Sequence, residues 1–315
     1  MRNGLCRLAE VESAPMKTLL FVALALCSLV FTAVWVVQVR RSGKAPLPSL
    51  RDCGIGLFTL FLDTLGIGAF ATTTAFFKLW HLVPDEEIPG TLNIGITLPA
   101  VAEGLIYMSI VDVDVKTLAL MIVAATAGAW FGAGVVSRWP RRKIQIGLGS
   151  TLLLTGGFML VSIFHLLPAG GDLLGLQGPR LLIAIGANLL LGALMTLGIG
   201  FFAPCMMVVY LLGMSPKAAF PIMMGSVAFL GTIGSIRFIQ QRRYRWKSAI
   251  GMTVGGIPGV LLAAYLVRSL PLGLLRWLVL VVIVYTAIMM LRSAFKERLR
   301  ITPGAAPHES LKAEA

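Results

Sequence analysis

Thr64-Leu65-Gly66-Ile67-Gly68-Ala69-Phe70-Ala71 is the stretch on which the fold turns, because it occurs twice. Thr196-Leu197-Gly198-Ile199-Gly200 repeats its first five residues, and both copies continue x-Phe-Ala, through Phe70-Ala71 and Phe202-Ala203. The offset is 132 residues, and Pro89 and Pro221 keep it. Farther along, Ala124, Gly128 and Gly132 align with Gly255, Gly259 and Ala263 at an offset of 131, as does Pro140 with Pro271. Ordered agreement over more than 70 residues marks a duplication. Two repeats are expected, 53–179 and 180–293, behind an N-terminal segment 1–52 and ahead of a tail 294–315.

Composition places those repeats in a bilayer. Of 315 residues, 57% are hydrophobic and 13% charged, with a mean hydropathy of +0.87; in soluble domains charged residues approach about a quarter. The apolar residues form long blocks, enough for roughly nine helices of the ~20-residue spanning length. Lipid offers backbone groups no partners, so such blocks read as helices. The short alternating segments of a membrane barrel are absent. The expected fold is all-α and polytopic, with one N-terminal transmembrane helix over Thr18–Val39 and two repeats behind it.

The formal charge of +13 does not point to nucleic acid. Lys and Arg sit in short clusters between apolar blocks, as in loops retained in the cytoplasm. Cys6, Cys27, Cys53 and Cys205 have neither paired spacing nor accompanying histidines, and are expected to be packing residues. No metal site and no cofactor are expected.

Each repeat holds four apolar segments, near 53–83, 89–110, 116–137 and 143–166 and near 180–212, 216–236, 248–268 and 271–292. Four simple crossings would leave Arg138, Arg141, Arg142 and Lys143 outside. A first segment that turns back at Gly-Ile-Gly instead brings the clusters at 40–51, 138–143 and 237–247 and the C-terminal end inside. That arrangement places 19 Lys and Arg inside against 8 outside, rather than 16 against 11. Each repeat then crosses three times, so the two are inverted. Cys53 to Thr64 can reach the midplane, since 12 residues rise about 18 Å. The N-terminus is expected outside, with Thr302–Ala315 a disordered cytoplasmic end.

The break itself is where a site is expected. Paired Gly weakens a continuous helix by about 1 kcal/mol each, and irregular backbone in a membrane is tolerated where it lines a buried cavity. Thr72, Thr73 and Thr74 follow the first break, Pro204 and Cys205 the second, and a helix restarts at each. Free N–H groups and the positive dipole end at such a tip suit an anion. Candidate contacts are Gly66, Gly68, Phe70, Ala71, Thr72, Thr73 and Thr74 in the first repeat and Gly198, Gly200, Phe202, Ala203 and Cys205 in the second. Asn93 and Ser226 join them as polar groups able to face the cavity. The plain alternative is that the glycines only allow close helix packing, the reading preferred for the Ala124/Gly128/Gly132 and Gly251/Gly255/Gly259 ladders. Asp63 and Glu103 are intramembrane carboxylates and candidates to carry a coupling proton. Their counterparts in the second repeat are Met195 and Ser235.

Asp63 to Thr74, followed by Ile88-Pro89-Gly90-Thr91-Leu92-Asn93, resembles the sulfite exporter TauE/SafE family of membrane permeases over about 53–293. The resemblance implies transport of a small sulfur-containing anion, sulfite or an organosulfonate, across a cell inner membrane. Many relatives have Pro where Thr72 stands here. The expected function is therefore a secondary transporter whose partners are a small anion and the lipid bilayer. A membrane scaffold, or a carrier of an unrelated small organic anion, is the alternative. No catalytic residues are expected, because there is no Ser/His pair, His-Glu-x-x-His or carboxylate pair at helical spacing, and the lack of a P-loop argues against a self-contained ATP-driven pump. Nothing in the sequence speaks to oligomeric state.

Overall fold

The computed structural model describes residues 2–41, 47–84, 87–136, 141–164, 171–195, 201–269 and 271–301. Gly198, Gly200, the loop residues 137–140 and the end 302–315 lie outside the described residues, as does the side chain of Ala71. All elements among the described residues are α-helices: α1 (Arg2–Arg41), α2 (Leu50–Thr64), α3 (Ala69–Leu79), α4 (Ile88–Ile110), α5 (Val115–Val136), α6 (Arg141–Ile163), α7 (Gly178–Met195), α8 (Phe202–Leu211), α9 (Pro216–Gln241), α10 (Trp246–Ser269) and α11 (Leu272–Ile301). Six described segments are long and apolar enough to cross a membrane, in α1, α4, α7, α9, α10 and α11.

The first apolar segment of each repeat is broken. α2 stops at Thr64 because Gly66, at φ +92°, closes it with a left-handed turn. The Gly66 N–H donates to Asp63 O at 2.7 Å and the Ile67 N–H to Leu62 O at 3.1 Å, which satisfies two of the carbonyls a helix end exposes. α3 then folds back beside α2. Phe58 lies seven residues before Leu65 and Phe76 eight after Gly68, yet their rings meet at 6.1 Å.

α7 and α8 are arranged alike. The Cys205 thiol reaches Asn188 Oδ1 at 3.7 Å, and the Ser215 N–H after α8 donates to Leu173 O before α7 at 2.9 Å. The two returning arms end in the same turn. His81 (φ +49°) and Gly213 (φ +86°) take the left-handed position, with Leu82 N–H to Phe77 O and Met214 N–H to Val209 O. Those residues stand 132 apart, the offset of the sequence repeat.

Packing couples the two halves helix by helix. α2 packs most extensively on α10, α5 on α7, α4 on α9 and α6 on α11. Small residues permit the closest approaches. A Cβ on Gly255 would stand 1.9 Å from Cys53 O, and one on Gly128 would stand 1.8 Å from Leu189 O. The glycine ladders are thus seams between the halves.

Contacts at the helix ends sort the loops into two groups. At one end the Arg245 N–H donates to Thr91 Oγ1 at 2.8 Å, and Gly251 abuts Asp52, which gathers Arg51, Arg242, Arg243, Arg245 and Lys247. At the other, the Asp114 N–H donates to Leu174 O at 2.8 Å and the Leu176 N–H to Thr117 Oγ1 at 3.0 Å. α4 joins the two ends with 23 residues, about 35 Å at 1.5 Å per residue, slightly more than the ~30 Å hydrocarbon core. α1 is pinned outside this body through Phe31 and Trp35, which pack with Ile94, Ile239 and Tyr244.

Candidate functional site

The first helix break, the end of α7 and the start of α8 open on one cavity of about 260 Å³. From the first break it is lined by Asp63, Gly66, Ile67, Gly68, Phe70 and Thr72, and from the second by Met195, Phe201, Phe202 and Ala203. Ile96 and Val227 close one side, and residues of α6 and α11 close the other. The equivalent positions Asp63 and Met195 both face it, as do Phe70 and Phe202.

Gly68 forms the entry to α3 at φ +89°, with nothing within 4 Å of where its Cβ would be. Its conformation is one that side chains disfavour, and the space it leaves gives a small solute access to the start of α3. The first-turn N–H groups of a helix have no intrahelical acceptor. One of them is already used, because the Ala69 N–H donates to Asp63 Oδ1 at 2.6 Å. Asp63 is 3% exposed, and its carboxyl group occupies the helix end that would attract a free anion.

Behind Asp63 lies a second carboxyl group. Glu103, fully buried on α4, accepts from the Thr64 hydroxyl through Oε1 at 2.6 Å, while its Oε2 has no partner. That hydroxyl has a single proton and a second acceptor in reach, Leu60 O at 2.8 Å. The Tyr107 hydroxyl donates to Thr64 O at 3.3 Å, and its ring stacks on Phe220 at 5.2 Å.

Among the described residues, the candidates Thr73, Thr74, Asn93, Glu103, Cys205 and Ser226 do not line the cavity. Successive helical residues point about 100° apart, so of the three threonines Thr72 lines it and Thr73 and Thr74 do not. Thr73 Oγ1 is buried without a partner, and the Thr74 hydroxyl donates to Phe70 O at 2.7 Å. The Asn93 amide is spent on Pro89 O at 2.8 Å, Cys205 is held by Asn188, and Ser226 Oγ is buried without a partner beside Val227. Glu103 sits one layer behind Asp63.

Sequence reasoning missed the α6–α11 wall, formed by Gln145, Tyr285, Thr286, Met289, Met290 and Ser293. Gln145 is 6% exposed, and a lone polar residue early in an apolar helix was the available signal. No group of three or more metal-ligating side chains occurs among the described residues.

Comparison with known proteins fits this architecture. The match to the family described as sulfite exporter TauE/SafE covers residues 5–159 and 181–313. A probable membrane transporter protein, YtnM of Bacillus subtilis (strain 168), is 25% identical over 117 residues, which are 36% of this chain and 39% of that protein. The chain thus spans about two-fifths of the length of that curated relative. No solved structure matches. With the family match reaching across both broken-helix segments and the helices after them, this multi-pass membrane protein belongs to the sulfite exporter TauE/SafE family.

Proposed function

We propose that this protein is an inner-membrane permease, a secondary transporter that carries a small anion, sulfite or an organosulfonate, through the cavity between its two helix breaks. The observation that carries the proposal is that cavity: both broken helices line it with the residues around their restarts. The name of the YtnM relative, a probable membrane transporter, points the same way. The two repeats are inverted and the basic end is cytoplasmic. Supporting this are the matching turns at His81 and Gly213, the hairpins entering from opposite ends, and the gathering of Arg and Lys at one end.

The solute anion takes the α3 N-terminus in competition with Asp63. Two negative charges cannot share one helix end at low cost, so the anion binds when Asp63 holds a proton. Solute and proton therefore travel together. Glu103, with Tyr107 beside it and Tyr285 across the cavity, completes the titratable surroundings of Asp63. A proton on Glu103 lets it donate to Thr64 Oγ1 and frees the Thr64 hydroxyl for Leu60 O. Glu103 is thus a neutral, structural acid, and Asp63 the coupling group.

Uptake of labelled sulfite and sulfoacetate into proteoliposomes, against empty vesicles, tests the proposal. An imposed proton gradient should drive accumulation of at least one of them. Uptake no faster than in empty vesicles, with the protein folded, would remove both anions as solutes and favour a scaffold or a carrier of another organic anion.

A further inference from the structure

The cavity has a polar end that the helix breaks do not explain. Gln145 on α6 and Ser293 on α11 both line it, and the Gln145 Nε2 donates to Ser293 Oγ at 3.2 Å. Gln145 Oε1 is buried and has no partner. A buried amide oxygen left unpaired is costly, so its placement at a cavity wall calls for a visiting donor. Ser293 accepts from Gln145 and keeps its own proton to offer. Between this pair and the tips the lining is apolar, with Phe70, Phe202, Met195, Met289 and Met290.

Size argues separately for a solute longer than a bare oxyanion. A four-atom oxyanion takes the place of only a few waters, and the cavity of about 260 Å³ runs from the helix tips on to Gln145 and Ser293.

We propose that Gln145 and Ser293 form a specificity subsite for the far end of the solute, and that the solute is a small organic anion ending in a hydroxyl or ammonium donor. Its charged group lies toward α3, its short carbon chain lies along the Phe and Met side chains, and its donor meets Gln145 Oε1. This rests on the anion-site reading above and adds the solute's chemistry to it.

Two isosteric probe pairs test the subsite on the purified full-length protein. 2-Hydroxyethanesulfonate is compared with propane-1-sulfonate, and 3-hydroxypropanoate with butanoate; each pair exchanges hydroxyl for methyl at constant chain length. The parent should prefer the hydroxyl member of at least one pair by about fivefold or more, the range of one or two hydrogen bonds. In Gln145→Met, which keeps the side-chain length, that preference should vanish while the methyl probe binds as well or better. Ser293→Ala should reduce the preference in part. A structural tie between α6 and α11 would lower the melting temperature of Gln145→Met and leave the ratio untouched, and that result overturns the proposal. So does binding of the probes with no hydroxyl preference in the parent, which leaves the anion site standing. Failure of the folded parent to bind any of the four probes overturns the subsite, and the sulfite arm of the proteoliposome assay then decides the anion-site reading separately.

Discussion

Gly68 and Gly128 are both glycines in membrane segments, yet their surroundings demand opposite outcomes. At Gly68 a Cβ would meet nothing, so the penalty is the backbone conformation alone, φ +89° with ψ 127°, about 1–3 kcal/mol. Gly68→Val should keep a folded protein with a modestly lower melting temperature, and should lose anion binding because the branched side chain fills the approach to α3. At Gly128 the new atom would stand 1.8 Å from Leu189 O, so Gly128→Val should sharply reduce the yield of folded protein. Binding to folded Gly68→Val as tight as to the parent would move the site away from the break. Asp63 allows a second expectation. If the anion binds only with a proton on Asp63, parental affinity should fall by up to about tenfold per pH unit once Asp63 is ionised. Asp63→Asn keeps an acceptor for the Ala69 N–H and should flatten that dependence, losing gradient-driven transport while sparing exchange. Glu103→Gln should leave both activities nearly intact, since an amide can donate to Thr64 as the acid does. A flat profile in the parent would exclude Asp63 as the coupling group. Asp63 and Gly68 could be read in advance because a charge and paired glycines stand out in an apolar run. The Ala69–Asp63 bond could not, since it depends on how the chain bends between Gly66 and Gly68.

The broken helices were readable for a reason that α6 and α11 lack. A duplicated break leaves two copies of the same unusual residues at a fixed offset, and the basic clusters then favour a reversal of the chain at that point. α6 and α11 carry no such mark, and the pairing of Gln145 with Ser293 across 148 positions is set by packing alone. The ladders were read as packing devices, and Gly251, Gly255 and Gly259 do lie against Asp52, Cys53 and Leu57. They make a graded series possible. Gly255→Leu would drive a side chain into Cys53 O at the α2–α10 seam, and should abolish the thermal transition of the folded protein in detergent. Gly234, in α9 with nothing near its missing Cβ, should accept Ala with a gain of about 0.5–1 kcal/mol from helix propensity. Equal melting behaviour of the two variants would mean that the seam is not closed as described.

Topology offers the broadest check. Gln241 lies at the basic end and Asp172 at the opposite one, and both are exposed. In a background without the native cysteines, a membrane-impermeant maleimide added to intact cells should label Asp172→Cys and leave Gln241→Cys unreacted until the membrane is opened. Labelling of Gln241→Cys from outside would overturn the inverted arrangement and the cytoplasmic assignment of the Arg242–Lys247 turn. Charge bias can suggest a sidedness from sequence because it acts on loops one at a time, before any packing exists. The pairing of helices across the halves was hidden, because it requires both halves to be present at once.

That pairing has a consequence for how the protein is made. α2 ends at Thr64, and the helix that covers its glycine face, α10, begins at Trp246, 182 residues later. At ~5–20 residues per second the ribosome needs roughly 10–40 s to cross that interval. For all of that time Cys53 O and its neighbours have no α10 to pack against. α7 meets no such delay, because α5 is already waiting when it emerges. Biogenesis is therefore lopsided: a chain cut short anywhere before α10 has no surface on which to close the first hairpin.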